Sequence, residues 1–124
     1  MKQLTRAEEQ VMQVLWNLKK AYVKDILEKL PQPKPAYNTI STIIRILEKK
    51  GVIGYTPKGK AHEYFPLISK KEYRKNYFKN FLRNYFGNNY MALTSFFTKE
   101  QDLSLQELEA IKQLIDEQIE EKKK

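Results

Sequence analysis

Residues 35–53 read PAYNTISTIIRILEKKGVI and have the pattern of an amphipathic helix with a stop signal at its end. The apolar residues of this segment recur at helical spacing, and they are Ile40, Ile43, Ile44 and Leu47. Gly51 follows where the end of a helix favours a residue with positive φ. We therefore predict a helix from about Tyr37 to Lys50, with one face packed on a core.

The side of this helix opposite the apolar residues is polar and has no acid near its centre. At about 100° per residue, it presents Asn38, Ser41, Thr42, Arg45 and Lys49, with Thr39 at its flank. Arginine can pair with guanine, asparagine with adenine, and threonine with the thymine methyl group or with phosphate. We therefore predict a recognition helix whose N-terminal half enters the major groove of DNA. A solvated face without a partner is the alternative, and the neighbouring Glu48 favours it.

Two shorter amphipathic segments precede this helix. Thr5 and Glu8 have the spacing of a capping box, and the helix that they open should end between Asn17 and Lys20. A second helix should end before Pro31, because a run of prolines removes backbone donors and fixes φ. Its apolar residues are Val23, Ile26, Leu27 and Leu30.

Two β-prone stretches follow the third helix, at Val52–Thr56 and Ala61–Leu67. Between them lies Pro57–Lys60, where proline suits the second position of a turn and glycine the fourth. We predict a hairpin with a basic tip, at which Lys58 and Lys60 contact phosphates beside the groove. The alternative is that these two lysines only increase solubility, as lysines at exposed turns commonly do. Three helices followed by a hairpin is the element order of a winged helix, although an unrelated α+β domain can share it.

Two or three further helices are predicted in the C-terminal part. The spacing Ser-x-x-Glu at residues 69–72 and 104–107 predicts capping boxes that open the first and the last of them. An aromatic-rich stripe fills the first helix and stops at Gly87. Residues 120–124 are expected to form a solvated tail. Within residues 88–101, a short helix is indicated by Met91, Ala92, Leu93, Phe96 and Phe97.

The apolar faces of these C-terminal helices exceed what one thin layer of helices can hide within a single subunit. We therefore expect a homodimer in which two copies bury these faces against each other. The contact residues should include Tyr77, Phe81, Tyr85, Leu108, Ile111 and Ile115. The alternative is that the same faces fold back onto the N-terminal domain as an ordinary core.

The composition favours a polyanionic partner. The formal net charge is +8, so nucleic acid is the leading partner and an anionic membrane surface the second. No apolar run approaches the roughly 18 residues needed to cross a bilayer, and the first residues lack the apolar segment of a signal peptide. We therefore expect a cytoplasmic protein without membrane insertion.

Cysteine is absent and His62 is the single histidine, which argues against an enzyme. Without cysteine there is no disulfide, thiol nucleophile or thiolate metal site. One histidine is too few to build a zinc site, and the acidic residues show no paired arrangement. We expect no catalytic residues, no metal and no cofactor. His62 is expected to be a partly exposed strand residue without a chemical role.

The segment 35–53, the opening at residues 4–16 and the stretch Gly59–Leu67 together resemble the penicillinase and methicillin-resistance repressor family, which includes copper-responsive relatives. A weaker similarity continues at residues 102–109. The resemblance implies a winged helix-turn-helix DNA-binding domain over residues 1–68 and a helical dimerisation region over residues 69–124. It also implies a homodimeric repressor of a palindromic double-stranded DNA operator. A winged-helix module that binds proteins, without specific DNA binding, is the alternative.

The resemblance leaves open whether a membrane sensor protease is a partner. Relatives that control β-lactam resistance are inactivated by proteolysis at an Asn-Phe bond between the two parts of the chain. Here the region reads Thr94–Phe97, so that Ser95 rather than asparagine precedes Phe96. Cleavage there by the same preference is not expected, and cleavage by a protease with a different preference is the alternative. The copper-responsive branch binds metal through cysteines, so copper sensing by that route is excluded.

Overall fold

Six α-helices and one two-stranded hairpin make up residues 3–124, the part of the chain that the computed structural model describes. The chain folds as two compact units, one ending at Phe78 and the other covering Lys79–Lys124. The elements are α1 (Arg6–Leu18), α2 (Val23–Lys29), α3 (Tyr37–Lys49), β1 (Ile53–Lys58), β2 (Ala61–Pro66), α4 (Lys70–Phe86), α5 (Tyr90–Glu100) and α6 (Leu105–Lys123). The predicted class, mainly α with a small hairpin, is confirmed.

Helix α1 begins with the predicted capping box. The Thr5 hydroxyl accepts a hydrogen bond from the backbone N–H of Glu8 at 3.2 Å, and the Glu8 carboxylate accepts one from the N–H of Thr5 at 3.0 Å. The same carboxylate belongs to a residue only 4% exposed and accepts a hydrogen bond from Nζ of Lys50 at 2.6 Å. Glu8 therefore ties the beginning of α1 to the residue that caps the end of α3.

The environment of Glu8 favours its charged form. Burial alone would raise the pKa of Glu8, and it is the largest single effect. The hydrogen bonds from Lys50 and Thr5, together with the positive charge of Lys50, act in the opposite direction and hold the pKa below its ordinary value of 4.5. Glu8 is thus a paired, ionised carboxylate at the edge of the core.

A lysine side chain closes the C-terminal end of α2. Nζ of Lys34 donates hydrogen bonds to the backbone carbonyl oxygens of Leu27 at 3.1 Å, Glu28 at 2.7 Å and Leu30 at 3.3 Å. The last carbonyls of a helix have no hydrogen-bond partner within the helix, and a cation near them also interacts favourably with the negative end of the helix dipole. Lys34 therefore stabilises the proline-rich connection between α2 and α3.

The core of the first unit is formed where α1, α2 and α3 meet the hairpin. The predicted stripe of α3 is inside, with Ile40, Ile44 and Leu47 buried and Ile43 half-buried against them. Burying each such side chain contributes about 1.5–3 kcal/mol. The largest fully buried side chains of the described residues are Val11, Met12, Leu15, Ile26, Ile40, Ile44 and Leu47. With its apolar side held in the core, α3 presents its polar side outward.

The hairpin turn lies closer to β2 than predicted. Lys58 pairs with Ala61, so the two turn residues are Gly59 and Lys60. The φ of Gly59 is +64°, which suits the first central position of a type II′ turn. Pro57 is a strand residue opposite His62, so its prediction as a turn residue is wrong. Lys58 and Ala61 close the two-residue turn as a hydrogen-bonded pair. Hydrogen-bonded and non-hydrogen-bonded pairs alternate along an antiparallel ladder, so Pro57 and His62 form a non-hydrogen-bonded pair. The Pro57 nitrogen therefore faces away from β2, where its missing N–H costs no ladder bond.

A single backbone bridge attaches the hairpin to the connection between α1 and α2. The N–H of Ala21 donates to the carbonyl of Tyr64 at 2.9 Å, and the N–H of Tyr64 donates to the carbonyl of Ala21 at 2.8 Å. Ala21 is buried and pairs antiparallel to β2 as an isolated bridge. The sheet therefore has a third strand only one residue long, which holds the hairpin beside the start of α2.

The beginning of α4 packs within the first unit. Nε1 of Trp16 donates to the carbonyl of Ile68 at 2.8 Å, and the rings of Trp16 and Tyr73 are 5.5 Å apart. The Tyr73 hydroxyl is buried and has no hydrogen-bond partner among residues 3–124. Burial, followed by the neighbouring carboxylate of Glu9, raises the pKa of Tyr73. The compact unit thus ends ten residues after the predicted end of the DNA-binding domain at residue 68. A compact unit need not end where a functional domain ends, so the predicted domain boundary stays a prediction.

The second unit contains the end of α4, α5 and α6. The Ser104 hydroxyl and the Glu107 carboxylate form the predicted capping box of α6, with bonds of 3.1 Å and 3.0 Å. The side chain of Asn89 caps α5 by accepting from the N–H of Ala92 at 3.0 Å. The solvated tail predicted at residues 120–124 is wrong as to conformation, because α6 continues to Lys123. The lysines in the last turn of α6 interact favourably with the negative end of the helix dipole, and Lys123 also forms a salt bridge with Glu120.

Candidate nucleic-acid interface

The polar side of α3 is the first part of the candidate interface. Five of the predicted residues are exposed and Ser41 is half-buried; the exposed ones are Asn38, Thr39, Thr42, Arg45 and Lys49. The Thr42 hydroxyl donates to the carbonyl of Asn38 at 3.0 Å, which leaves its methyl group and its oxygen lone pairs outward. All six residues that the sequence predicts on this helix thus lie on or beside one accessible face, which the buried stripe holds in position.

The hairpin tip is the second part of the candidate interface. Lys58 and Lys60 are both exposed, on either side of Gly59. Successive side chains of a strand point to opposite faces, so Lys58 is on the face of β1 that also carries Thr56. Lys60 instead lines a cleft towards α3. Lys58 and Lys60, the two residues predicted to contact phosphate, are therefore close in sequence but lie on different sides of the hairpin.

A cleft of about 560 Å³ lies between α3, the hairpin and the start of α2. Its walls carry three cationic side chains, and none of its lining residues is an aspartate or a glutamate. The lining residues are Tyr22, Val23, Lys24, Tyr37, Ser41, Arg45, Lys60, Ala61, His62 and Tyr64. A cleft with such a lining attracts anions, because its low-dielectric walls focus the positive field.

Sequence reasoning missed part of this cleft. Lys24, Tyr37 and His62 line it, and Tyr37 is 54% exposed although it is aromatic. Lys24 is brought beside the hairpin by the bridge between Ala21 and Tyr64, which is a tertiary contact without a local sequence signal. The helical wheel places Tyr37 at the boundary between Ser41 and Ile44, so periodicity alone does not predict its exposure.

The residues predicted for dimerisation do not all lie in one environment. Tyr77, Tyr85 and Ile115 are largely exposed, with Tyr85 at 74% and Ile115 at 52%, whereas Phe81, Leu108 and Ile111 are half-buried. Further large apolar side chains of α5 and α6 are also exposed, and the prediction did not include them. They are Met91, Phe96, Phe97, Leu105, Leu114 and Ile119.

The bond between Ser95 and Phe96 lies inside helix α5. Both residues are exposed, and the ring of Phe96 is 5.7 Å from that of Phe86. Proteases cleave extended backbone, so cleavage at this bond requires local opening of α5.

Metal-binding clusters and membrane-spanning helices are absent from residues 3–124. No group of three or more histidine, cysteine, aspartate or glutamate side chains there is arranged to hold a metal ion. No helix in the same residues combines the length and the apolar character that crossing a bilayer requires.

Comparison with known proteins gives matches over nearly the whole chain. The family model described as penicillinase repressor matches residues 4–117. The methicillin resistance regulatory protein MecI of Staphylococcus aureus (strain N315) is 27% identical over 114 residues, which cover 91% of this chain and 93% of that protein. The penicillinase repressor of Bacillus licheniformis is 24% identical over 122 residues, which cover 98% of this chain and 95% of that protein.

A solved structure also matches part of the chain. The solution structure of the DNA binding domain of the repressor BlaI has a TM-score of 0.51 and 28% identity, and the match covers 57% of this chain and 88% of that domain. The winged-helix arrangement that the order of elements predicts is thereby confirmed. The match to the family model confirms the resemblance found in the sequence, and the chain belongs to the penicillinase repressor family.

Proposed function

We propose that this protein is a transcriptional repressor that binds a palindromic double-stranded DNA operator as a homodimer. The observation that carries the proposal is the accessible polar face of α3 beside a cationic cleft and a basic hairpin tip. The relative from Bacillus licheniformis is named as a repressor, and the matched domain of BlaI is described as DNA binding. Both descriptions support the same role for this chain.

Base recognition is assigned to the N-terminal part of α3. Asn38, Thr39, Ser41 and Thr42 occupy the first two turns of α3, and Arg45 follows one turn later on the same side. Arg45 supplies five donors in a planar fork, which suits the two acceptors of guanine in the major groove.

Phosphate binding is assigned to the lysines around this face. Lys49 lies at the end of α3, and Lys58 and Lys60 flank the first residue of the hairpin turn. Contacts with phosphate position the protein on the duplex and carry no sequence information. These lysines should therefore strengthen binding to every duplex, and more so at low salt.

Repression in this proposal requires occupancy of the operator and no chemistry. The family model is described as penicillinase repressor, and the relatives are named as a penicillinase repressor and as methicillin resistance regulatory proteins. Two copies joined through the exposed apolar side chains of the C-terminal helices would present two α3 helices to half-sites one helical turn apart, or a multiple of that spacing. The blocked promoter is released when the dimer leaves.

The proposed location is the cytoplasm, where the operator lies, and a membrane sensor protease is a candidate partner for ending repression. The candidate cleavage point is Ser95–Phe96. Serine stands where the family's cleavage requires asparagine, so a protease with the family's preference is not expected to cut this chain there.

The test of the proposal is binding to duplexes selected from a random library, followed by titration at about 50 mM and about 200 mM salt. A repressor should bind a symmetric site specifically, with an affinity that falls steeply as salt rises. Indifference to duplex DNA at low salt would contradict the proposal and favour a module that binds proteins.

Arg45→Ala should weaken binding to the selected site by about 1–3 kcal/mol and relax the preference at one base position. The reason is the loss of a side chain that reads one base. Lys112→Ala, which removes an exposed cation from α6, is the matched control and should leave sequence preference intact. An unchanged preference in Arg45→Ala would remove this residue from the interface.

Replacing Lys58 and Lys60 together by alanine should weaken binding to all duplexes and flatten the salt dependence by about one to two released counterions. The measurement is the slope of affinity against salt for a specific and a scrambled duplex. Weakening confined to the specific duplex would mean that the hairpin tip reads bases.

A further inference from the structure

His62 has a defined position in the cationic cleft. It lies opposite Pro57, and Tyr55 lies opposite Tyr64, so these four residues share one face of the hairpin. The imidazole is stacked on the Tyr55 ring, with centroids 4.1 Å apart and planes at 10°. This stack restricts the orientation of the imidazole ring, while the His62 residue as a whole remains exposed.

The polar groups that face His62 come from every element around the cleft. Lys24 and Tyr22 approach from the start of α2, and the hairpin itself contributes Lys60. Helix α3 contributes Tyr37, Ser41 and Arg45. All of these side chains can donate a hydrogen bond, and three of them are cations.

Acidic groups lie at the margin of the cleft. Glu63 follows His62 in β2, so it points to the opposite face of the hairpin. Glu48 is close enough to the buried Tyr64 that, after burial itself, its charge contributes to raising the pKa of that phenol. Neither carboxylate lines the cleft. Within residues 3–124, no hydrogen bond engages a ring nitrogen of His62.

We propose that this cleft is a binding site for one segment of the DNA phosphodiester backbone, and that His62 takes up a proton when the phosphate binds. The inference rests on the proposed function and deepens it, because it adds a contact that makes DNA affinity depend on pH. It also revises the sequence-based expectation that His62 has no chemical role.

The proton uptake follows from the chemistry of the two partners. A phosphodiester oxygen only accepts hydrogen bonds, whereas neutral imidazole has one donor and one acceptor nitrogen. Protonation converts the second nitrogen into a donor and adds a positive charge next to the phosphate. The proton comes from the buffer, and no covalent bond in the protein or the DNA is broken. Histidine is the side chain whose charge ordinarily changes between about pH 5 and 8, and this chain has one.

The position of the cleft favours DNA over a small anion. It opens beside the side of α3 that is proposed to face base edges, and Arg45 and Ser41 belong to both surfaces. A duplex whose groove receives α3 therefore brings a phosphate strand alongside His62 and Lys60. Inorganic phosphate has the same acceptor chemistry without this geometry, so it serves as the competing ligand in the test.

The experiment measures duplex affinity at about pH 5.5 and about pH 7.5 for the wild-type protein, His62→Gln and Lys58→Gln. Glutamine keeps a polar side chain of similar reach but cannot gain a proton. The wild type should bind about 3- to 10-fold more tightly at the lower pH. His62→Gln should lose most of this increase. Lys58→Gln, which removes a cation from the opposite face of the hairpin, should bind more weakly at both pH values but keep the increase.

A second measurement follows the protonation of His62 directly. Because the chain has a single histidine, its imidazole NMR signals are unambiguous. At a pH of about 6.5, addition of the duplex should increase the protonated fraction. Addition of inorganic phosphate at millimolar concentration should leave it nearly unchanged.

The outcomes separate the two levels of the proposal. Equal pH dependence in the wild type and His62→Gln, with specific duplex binding intact, would overturn the role of His62 and leave the proposed function standing. An equal response of the imidazole to inorganic phosphate would overturn the assignment to the DNA backbone. Absence of duplex binding at both pH values would overturn the proposed function itself.

Discussion

Up to Phe78 the chain buries most of its aliphatic side chains, whereas from Lys79 onward it leaves large apolar side chains in water. Among the described residues, all but one of the apolar side chains that are buried lie in the first region, and the exception is Leu82. In the second region Leu105 is 72% exposed, and Leu114, Ile115 and Ile119 are exposed on the same helix. The first region therefore has a core of its own, and the second has an apolar surface that a second copy can cover.

This contrast gives the two regions different energetics. Stability of the first region should come from side-chain packing inside one chain and be independent of protein concentration. Stability of the second should come largely from association and therefore rise with concentration. Three substitutions test this contrast, in order of decreasing effect.

Ile44→Ala should cost about 2–5 kcal/mol of unfolding free energy, because a fully buried side chain leaves a cavity in the core. The measurement is urea denaturation followed by the fluorescence of Trp16, which packs against this core. Ile115→Ala in α6 is the matched control at low protein concentration, where it should leave the Trp16 transition in place. Equal losses in both variants would contradict the division into two regions.

Glu8→Gln should lower the stability of the first region by about 1–3 kcal/mol near neutral pH, because it leaves Lys50 without its charged partner. The folded state lowers the pKa of Glu8, so the wild-type advantage is full above the ordinary value of 4.5 and is lost as the pH falls through the lower folded-state pKa. Urea midpoints at neutral and acidic pH measure this.

The matched control for Glu8→Gln is Glu107→Gln. Glu107 occupies the same position in the capping box of α6, but its partners in that box come from Ser104 alone. It should change the Trp16 transition much less than Glu8→Gln does. A similar loss in the two variants would contradict the division into two regions, because Glu107 lies in the second region and Trp16 reports on the first.

Ile115→Ala should weaken dimerisation by about 1–2 kcal/mol, through the apolar area that it removes from the proposed contact. Sedimentation equilibrium over a range of protein concentrations measures the change. Lys112→Ala removes an exposed cation from the same helix and should leave the dimer dissociation constant close to that of the wild type. A wild-type protein that stays monomeric at all concentrations would remove the proposed role of these helices.

The helices were predictable because their boundaries depend on local chemistry. Thr5 with Glu8 and Ser104 with Glu107 form capping boxes as predicted, and Gly51 has a φ of +76° where α3 has ended. The hairpin turn was not predictable in this way, because proline suits either a turn or a strand position whose nitrogen faces away from the partner strand. Which of these applies depends on pairing across the hairpin, and a local pattern does not encode that pairing.

The candidate site was predictable only in part, for a related reason. The polar face of α3 follows from helical periodicity, so Asn38 and Arg45 could be placed from the sequence. The cleft depends on three elements meeting, and Lys24 and His62 reach it through the bridge between Ala21 and Tyr64. Periodicity within one element carries no information about that meeting.

The hydrogen bonds of Lys34 have a consequence for counting charges. Its ammonium group is engaged by three carbonyl oxygens of the same chain, so it is occupied before any polyanion arrives. Lys34 keeps its charge, because carbonyl groups are neutral, but its donors are not free for a phosphate. It therefore counts towards the formal charge of +8 without offering a direct contact to a duplex. The number of ions displaced on binding should follow the cations around α3 and the hairpin rather than the total of lysines and arginines.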